Sequence, residues 1–166
     1  KSISPKMQSN QINIKGYESI TEEKVLDKWI KILSEQSVIA VDTETSSLNP
    51  LDADLIGVSF SYAPNKACYI PLAHKNIKGL KKEVVLKKIK PILEDPSIKK
   101  VGQNIKFDFI ILNQNNIKIT SLEDTMLISY TLDAGTNRHN LDTLSEIHLN
   151  HKTISYKELV GTGKNK

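Results

Sequence analysis

Hydrophobic and polar residues follow two different periods along this chain, and the two periods separate helices from strands. Apolar residues at helical spacing predict helices from about residue 21 to residue 34, and then over 82–93, 105–114, 122–133 and 140–148. Apolar runs and two-residue alternation predict strands over 37–43, 54–62, 67–72, 98–102 and 116–120, with INI (12–14) as a further short strand. Three strands linked by hairpins, followed by strands that alternate with helices, indicate an α/β domain with a mixed β-sheet flanked by helices.

Sequence signals also mark where two of these helices begin and end. Ser19 and Glu22 have the spacing of a capping box, and Thr21 is a second candidate for the N-cap of the first helix. The second helix should end before Pro96, because proline cannot continue a helix, and Pro91 should kink its last turns. These signals place the boundaries of both helices within a few residues.

The composition is that of one ordinary globular domain. The 166 residues are enough for a real core, and 39% hydrophobic and 25% charged residues are typical values. The only cysteine, Cys68, cannot form an internal disulfide, which favours a reducing, intracellular setting. No apolar run is long enough to span a membrane. We therefore expect a cytoplasmic monomer that does not associate with membranes.

The charge distribution is a mild indication of an anionic partner. The formal net charge is +4, and residues 75–100 contain nine lysines against three acidic residues. A phosphate-binding surface is one interpretation of this segment, and a solvated lysine-rich helix face is the simpler one. Arg138 is the only arginine in the chain.

The segment VIAVDTETSSL (38–48) places two acidic residues at the end of a buried strand. Strand side chains alternate between faces, so Asp42 and Glu44 point to the same side. Asp108 lies four residues after Asn104 in GQNIKFDFIIL, at the start of a helix that follows a short strand. Because strand ends and helix starts of an open α/β sheet meet in one crevice, the three carboxylates could converge there. Such a cluster needs a cation, and oxygen ligands suit Mg²⁺ or Mn²⁺.

Simpler explanations exist for each of these residues. Two acids at a strand end are often only solvated. Asn104 could cap its helix, and Asp108 could be favoured by the positive end of the helix dipole. The pattern therefore becomes informative only together with the rest of the chain.

The segments VDTETSSL and KVGQNIKFDFIIL resemble the first two exonuclease motifs of the proofreading domains of bacterial DNA polymerase I, which belong to the DEDD superfamily of 3′–5′ exonucleases. Further family-like segments are ITEEKVLDKWIKIL, YIPLAH, PILEDPSIKKVGQN, EDTMLISYTLDA, RHNLDTLSE, HKTISYKEL and GTGKNK. The resemblance covers residues 17–166 and implies a ribonuclease H-like fold with a metal site at the edge crevice of the sheet. Residues 1–16 form a polar lead-in outside it.

The resemblance also implies a cofactor and a role for each carboxylate. Asp42 would bridge two metal ions, Glu44 would bind the ion that activates the attacking water, and Asp108 would bind the second ion. Mg²⁺ is the expected ion, with Mn²⁺ or Zn²⁺ as alternatives, and a pair of such ions can hydrolyse a phosphodiester. The three residues are therefore predicted as both catalytic residues and metal ligands.

The same resemblance implies a set of residues that hold the 3′ end of single-stranded DNA. Thr43 and Leu48 correspond to positions near the terminal nucleotide, with Leu48 as an apolar wedge against bases. Asn104, Arg138 and Tyr156 correspond to positions that contact the single strand. Two of these residues have plain structural alternatives, because Leu48 could pack on the core and Tyr156 could be an ordinary helix residue.

The third family motif, a Tyr and an Asp separated by three residues, is not present in these 166 residues. Residues 17–166 are therefore expected to be a 3′–5′ exonuclease domain that ends before this motif and is weak or inactive by itself. A polymerase domain is expected further along the parent chain, and proofreading in DNA replication and repair, at the bacterial nucleoid, is the expected function. Two alternatives remain open, namely a catalytically silent structural or DNA-binding domain and a DEDD-type exoribonuclease.

Overall fold

A six-stranded mixed β-sheet organises the computed structural model, which describes residues 14–73, 79–154 and 158. The strands are β1 (Tyr17–Ser19), β2 (Val38–Thr45), β3 (Leu55–Ala63), β4 (Lys66–Pro71), β5 (Lys99–Gly102) and β6 (Leu122–Asp124). The helices are α1 (Glu23–Ser34), α2 (Lys82–Glu94), α3 (Lys106–Gln114), α4 (Thr125–Leu132) and α5 (Leu141–Leu149), with a 3₁₀ turn at Ile14–Gly16. These elements confirm the predicted mixed α/β class.

The strand order is β1-β4-β3-β2-β5-β6, so the three strands predicted to be linked in sequence form the middle of the sheet. β2 and β4 run antiparallel to β3, whereas β5 runs parallel to β2, and β6 runs parallel to β5. β1 forms the opposite edge, parallel to β4. Loops of nine residues (46–54) and two residues (64–65) join the antiparallel neighbours, and α2 and α3 lie in the longer connections to the parallel strands, as parallel pairing requires.

One face of the sheet is buried, and the alternation along β2 shows which one. Ile39, Val41 and Thr43 are buried, while the residues between them, including Asp42 and Glu44, are exposed. The core combines this face with apolar residues of three helices, among them Leu26, Trp29 and Leu33 of α1, Val85, Ile89 and Leu93 of α2, and Ile111 and Leu112 of α3. In the described ranges no helix is both long and apolar enough to cross a bilayer.

The predicted capping box at the start of α1 is wrong. Ser19 is the last residue of β1, where it pairs with Tyr69 of β4. Glu22 occupies the N-cap position and makes no side-chain cap hydrogen bond, so Thr21 is not the N-cap either. Ser19 is held in β1, and α1 begins only at Glu23, so Ser19 does not stand at the start of the helix.

The predicted strand at 116–120 is also wrong, and a strand that the pattern missed lies directly after it. This segment is irregular, and Thr120 donates its N–H to the carbonyl of Leu93 at the end of α2 (3.1 Å). Ile117 and Ile119 are both buried, so their alternation reflects a loop packed on the core. The first three residues of the helix predicted over 122–133 form β6 instead.

The remaining boundary predictions had mixed outcomes. α2 continues through Pro91 and ends before Pro96, as predicted. α3 and α5 each lie within one residue of their predicted bounds. Of the short strand predicted over 12–14, Ile14 begins the 3₁₀ turn instead, and the other two residues lie outside the described part of the chain.

Candidate active site

β2 carries two carboxylates on the open face of the sheet. Asp42 and Glu44 alternate with the buried Thr43, so they point to the same side, as predicted. Asp42 lies opposite Ser59 of β3, Glu44 lies opposite Gly57, and the register shifts directly after Glu44. A register shift of this kind bends a strand. The two carboxylates therefore stand where the regular part of β2 ends.

Asp108 reaches the same strand from helix α3, and two hydrogen bonds attach it there. Its Oδ1 accepts the backbone N–H of Thr43 at 2.8 Å and the Thr43 hydroxyl at 2.6 Å. Both residues are buried, with Asp108 3% exposed and Thr43 8% exposed. Because Thr43 lies between Asp42 and Glu44 in β2, these bonds hold the third predicted carboxylate against the stretch of strand that carries the first two. The structure thus joins the two sequence motifs in one place.

The negative charges of Asp108 and Glu44 act on the carboxyl of Asp42. Burial, followed by the negative charges of Asp108 and Glu44, raises the pKa of Asp42 to about 6. Although Asp42 keeps exposed surface, the protein atoms packed around its carboxyl partly desolvate it. Burial also raises the pKa of Asp108, with a smaller contribution from the charge of Asp124, whereas the hydrogen bonds from Thr43 act in the opposite direction. The site therefore concentrates negative charge that a cation would stabilise.

The chemistry of these donors fits a hard divalent cation. The side chains offer carboxylate oxygens, which Mg²⁺ and Mn²⁺ prefer. Within the part of the chain that the structure describes, no three His, Cys, Asp or Glu side chains lie close enough together to form a ready set of metal ligands. Metal ligation by Asp42, Glu44 and Asp108 therefore stays a prediction.

Thr43 has a supporting contact that sequence reasoning missed. Its side chain points into the buried face of the sheet, and its hydroxyl donates to Asp108. The two residues are 65 positions apart, so no local pattern could reveal the hydrogen bond. The predicted contact between Thr43 and the terminal nucleotide stays a prediction.

Leu48 lies on an exposed loop that follows the two carboxylates of β2. It is 96% exposed, which excludes the alternative that it packs on the core. The loop is closed at its base, where the Ser46 N–H donates to the Asp54 carbonyl (3.0 Å) and the Asp54 N–H donates to the Ser46 hydroxyl (2.9 Å). An exposed leucine on a closed loop is suited to the predicted contact with a base.

Asn104 lies directly before α3 in the left-handed backbone conformation, with φ at +56°. The Asp124 carboxylate accepts the N–H groups of Asn104 (2.9 Å) and Ile105 (3.0 Å). It also accepts the N–H of Met126 (2.9 Å) as the N-cap of α4, so one carboxylate holds the starts of two helices. The N-cap of α3 is Ile105, without a side-chain cap bond, and the alternative that Asn104 caps this helix is wrong. Sequence reasoning missed Asp124, although an Asp before an apolar helical run is an N-cap signal.

Arg138 lies in the exposed segment between α4 and α5, and a hydrogen bond joins this segment to Gln103, directly after β5. Gln103 donates its side-chain N–H to the His139 carbonyl (2.8 Å), and its Oε1 accepts the Thr125 hydroxyl (2.6 Å). Gln103 immediately precedes Asn104 in the chain. The two predicted contacts with the single strand, Asn104 and Arg138, therefore lie on connected segments.

The other predicted basic and aromatic contacts have different outcomes. Tyr156 lies outside the described residues. Several lysines of the segment 75–100 are paired or buried, namely Lys88 with Glu23 and Asp27, Lys90 with Glu94, Lys99 with Glu123, and Lys100 in the core. A lysine in an ion pair offers less charge to a phosphate, which supports the simpler interpretation of this segment.

Comparison with known proteins places the chain in a family. A family model described as a 3′-5′ exonuclease matches residues 17–166. The chain is 40% identical over 169 residues to DNA polymerase I of Rhizobium leguminosarum and 39% identical over 153 residues to DNA polymerase I of Pseudomonas aeruginosa. These matches cover 90% and 89% of this chain, but the chain spans only 17% of the length of each relative.

Solved structures have the same fold. Brucella melitensis NrnC with bound Mg²⁺ is similar with a TM-score of 0.62 at 21% identity, over 89% of this chain and 68% of that chain. The fold is that of the ribonuclease H-like nucleases, as the sequence resemblance implied. Within that class, the chain belongs to the 3′–5′ exonuclease family that its DNA polymerase I relatives share.

Replacing Asp42 with Asn should stabilise the metal-free domain at neutral pH and have little effect in acid. The pKa of about 6 lies above the ordinary value of 3.8, so the folded state binds this proton more tightly than the unfolded state does. Wild-type stability should therefore fall as the pH rises from about 4 to about 6 and stay lower above that range. We expect a gain of ~1 kcal/mol at neutral pH, allowing for solvent screening, which corresponds to about 2–4 °C in melting temperature.

Thermal unfolding in EDTA, at about pH 4 and about pH 7.5, measures this effect. Asp133→Asn is the matched control, because Asp133 is an exposed aspartate after α4. It should show no pH-dependent gain. Equal melting temperatures for wild type and Asp42→Asn at both pH values would contradict the repulsion inferred for this site.

Substitution of Asn104 should reveal the cost of its backbone conformation. Glycine adopts a positive φ freely and alanine does not, so Asn104→Gly should retain more stability than Asn104→Ala. We expect a difference of about 1 kcal/mol in the free energy of unfolding by urea. Asn113 is the control, since its position within α3 should give the opposite order. If alanine were more stable than glycine at position 104 as well as at position 113, the backbone of Asn104 would not be strained.

Proposed function

We propose that this chain is the 3′–5′ proofreading exonuclease domain of a DNA polymerase I, which removes nucleotides from single-stranded DNA 3′ ends during replication and repair. The observation that supports the proposal is the pair of hydrogen bonds from Thr43 to Asp108, because it holds the carboxylate of the second motif against the strand that carries the two carboxylates of the first. The relatives at 39% and 40% identity, both DNA polymerase I, support DNA as the substrate.

Asp42, Glu44 and Asp108 are the proposed metal ligands, with Mg²⁺ as the ion. Two such ions, when bound, would supply Lewis acidity at the scissile phosphate and activate a water molecule. Asp42 is the best candidate to be shared between them, because the charges of both Glu44 and Asp108 act on its carboxyl. Thr43 holds Oδ1 of Asp108 and thereby orients this carboxylate. The Mg²⁺ bound to NrnC, which has the same fold, supports the choice of ion.

The segments around the carboxylates form the proposed track for a single strand. Leu48 projects from the loop after β2, and Asn104 and Arg138 lie on the two segments that Gln103 connects. Apolar contact with bases and polar contact with the backbone together bind single strands with little sequence preference. The net charge of +4 implies that few phosphates are neutralised, so binding should be weak and only moderately dependent on salt.

Two other functions have to be compared with this one. A catalytically silent domain would retain the fold without using its carboxylates, and a DEDD-type exoribonuclease would act on RNA. All three carboxylates of the first two motifs are present, which favours an active enzyme. We propose that the third motif and a polymerase domain lie further along the parent chain, and that this chain is weakly active without them.

A longer polypeptide that continues through the third motif should degrade 5′-labelled single-stranded DNA from its 3′ end when Mg²⁺ is added. Asp108→Asn should lower the rate roughly a thousandfold, because the members of a catalytic unit act together. The 166-residue chain should be nearly inactive. Denaturing electrophoresis of timed samples measures all three rates, with Asp133→Asn as the control that should keep the wild-type rate.

An RNA strand of the same sequence distinguishes the alternatives. Faster degradation of the RNA would favour the exoribonuclease. No hydrolysis of either strand with Mg²⁺ or Mn²⁺ would favour the silent domain. A 166-residue chain as active as the longer polypeptide would show that the third motif is dispensable, against the proposal.

Arg138→Ala and Tyr156→Ala should each weaken the binding of short single strands to the longer polypeptide. Stacking of one base contributes about 1–3 kcal/mol, so loss of the tyrosine should raise Kd roughly 5- to 150-fold. Fluorescence anisotropy measures Kd, with Asp42→Ala in every variant to prevent hydrolysis. Lys87→Ala is the control, because Lys87 is an exposed lysine of α2. A loss of affinity at Lys87 alone would place the strand along the lysine-rich segment instead.

A further inference from the structure

Tyr69 of β4 lies on the same open face of the sheet as the carboxylates of β2. Ser59 of β3 pairs with Asp42 on one side and with Tyr69 on the other, so the three residues form one row across three strands. In the next row, Gly57 of β3 lies opposite Glu44. Tyr69 is half-buried and has no role in any of the sequence predictions.

The ring of Tyr69 leans from its own row over Gly57. A Cβ atom added to Gly57 would lie 1.9 Å from the Tyr69 hydroxyl oxygen and 2.4 Å from Cζ, far closer than real Cβ contacts allow. Only glycine therefore leaves room for this ring position, and a glycine within a strand often marks such a close approach. The absence of a side chain at position 57 allows the phenol to point along the sheet towards the partner of Gly57 in β2.

That partner is Glu44. Cβ atoms of directly opposed residues in antiparallel strands are about 4.5–5.5 Å apart. Because the Tyr69 hydroxyl lies only 1.9 Å from where a Cβ of Gly57 would be, the flexible side chain of Glu44 can reach it.

We propose that Tyr69 is a positioning residue of the exonuclease site, whose hydroxyl donates a hydrogen bond to the Glu44 carboxylate. This inference rests on the function proposed above. A glutamate side chain on an open sheet face has several rotamers, and a hydrogen bond from a phenol fixed by packing would select one of them. With one carboxylate oxygen engaged, the other would remain available to a divalent cation.

Tyr69→Phe tests the role of the hydroxyl, since it removes one oxygen and keeps the ring. Loss of a group that orients a metal ligand typically costs 10–100-fold in affinity or activity. We therefore expect the Kd for Mn²⁺, measured by calorimetry on the 166-residue chain, to rise at least about tenfold. In the longer polypeptide, kcat should fall roughly 10–100-fold, with the KM for a short single strand unchanged.

Tyr62→Phe is the matched control. Tyr62 belongs to the neighbouring strand β3, and its ring packs edge-on against Trp29 of α1 with centroids 5.5 Å apart. Removal of its hydroxyl should change neither Mn²⁺ affinity nor kcat. Gly57→Ala should disturb the contact between Tyr69 and Glu44 without changing either residue, because the new methyl group must displace the Tyr69 ring. It should lower kcat in the wild type and add little further loss in Tyr69→Phe.

The outcomes separate this inference from the function on which it rests. Wild-type Mn²⁺ affinity and kcat in Tyr69→Phe would overturn the role of Tyr69, and so would additive losses in the double variant. Even if Tyr69 had no role, an active wild type and an inactive Glu44→Gln variant would still support the exonuclease function. If the wild-type longer polypeptide did not degrade DNA, the proposed function would fail, and the Mn²⁺ titration alone would decide whether Tyr69 positions Glu44.

Discussion

The two hydrogen bonds from Thr43 to Asp108 connect parts of the molecule that no local interaction could bring together. A buried carboxylate is unfavourable without partners, and here a backbone N–H and a hydroxyl both donate to the same oxygen of Asp108. Because Thr43 is held in β2 by pairing with β3, the first turn of α3 is held against this strand. The start of the same helix is held from the other side by Asp124, which follows from the position of β6 beside β5. The site is therefore defined by the sheet.

The carboxylates of the site have opposite effects on the stability of the fold. Oδ1 of Asp108 accepts two hydrogen bonds, which is favourable, whereas the carboxyl of Asp42 is partly buried near two like charges, which is unfavourable. The pKa of Asp42 is raised because the protein partly buries its carboxyl near two further acids, which a domain selected only for stability would avoid. Asp42 and Glu44 lie on the open face, at the register shift in β2, whereas Asp108 is buried beside Thr43. The site therefore lowers the stability of the metal-free protein while it concentrates negative charge around Asp42. This trade is common where a site must bind cations or catalyse a reaction.

Sequence patterns predicted what is local and missed what joins distant segments. The long amphipathic helices and the central strands were correct because their periodicity reports burial directly. The capping box at Ser19 failed when β1 paired with β4, and the alternation around Ile117 came from a loop packed on the core. The predicted positions of Asp42 and Glu44 on one face followed from strand geometry alone. The bond from Thr43 to Asp108, across 65 positions, required the folded sheet.

The backbone of Asn104 shows how a local irregularity serves the site. Positive φ values at Asn116 and Asn150 follow helices α3 and α5, where a left-handed residue is an ordinary way to end a helix. Asn104 instead precedes a helix, where an extended conformation is usual, so its left-handed backbone needs a separate stabilising contact. Asp124 provides that contact through the N–H groups of two successive residues. The resulting sharp turn lets α3 start directly after β5, and for that reason Asp108, in its first turn, can reach the neighbouring strand.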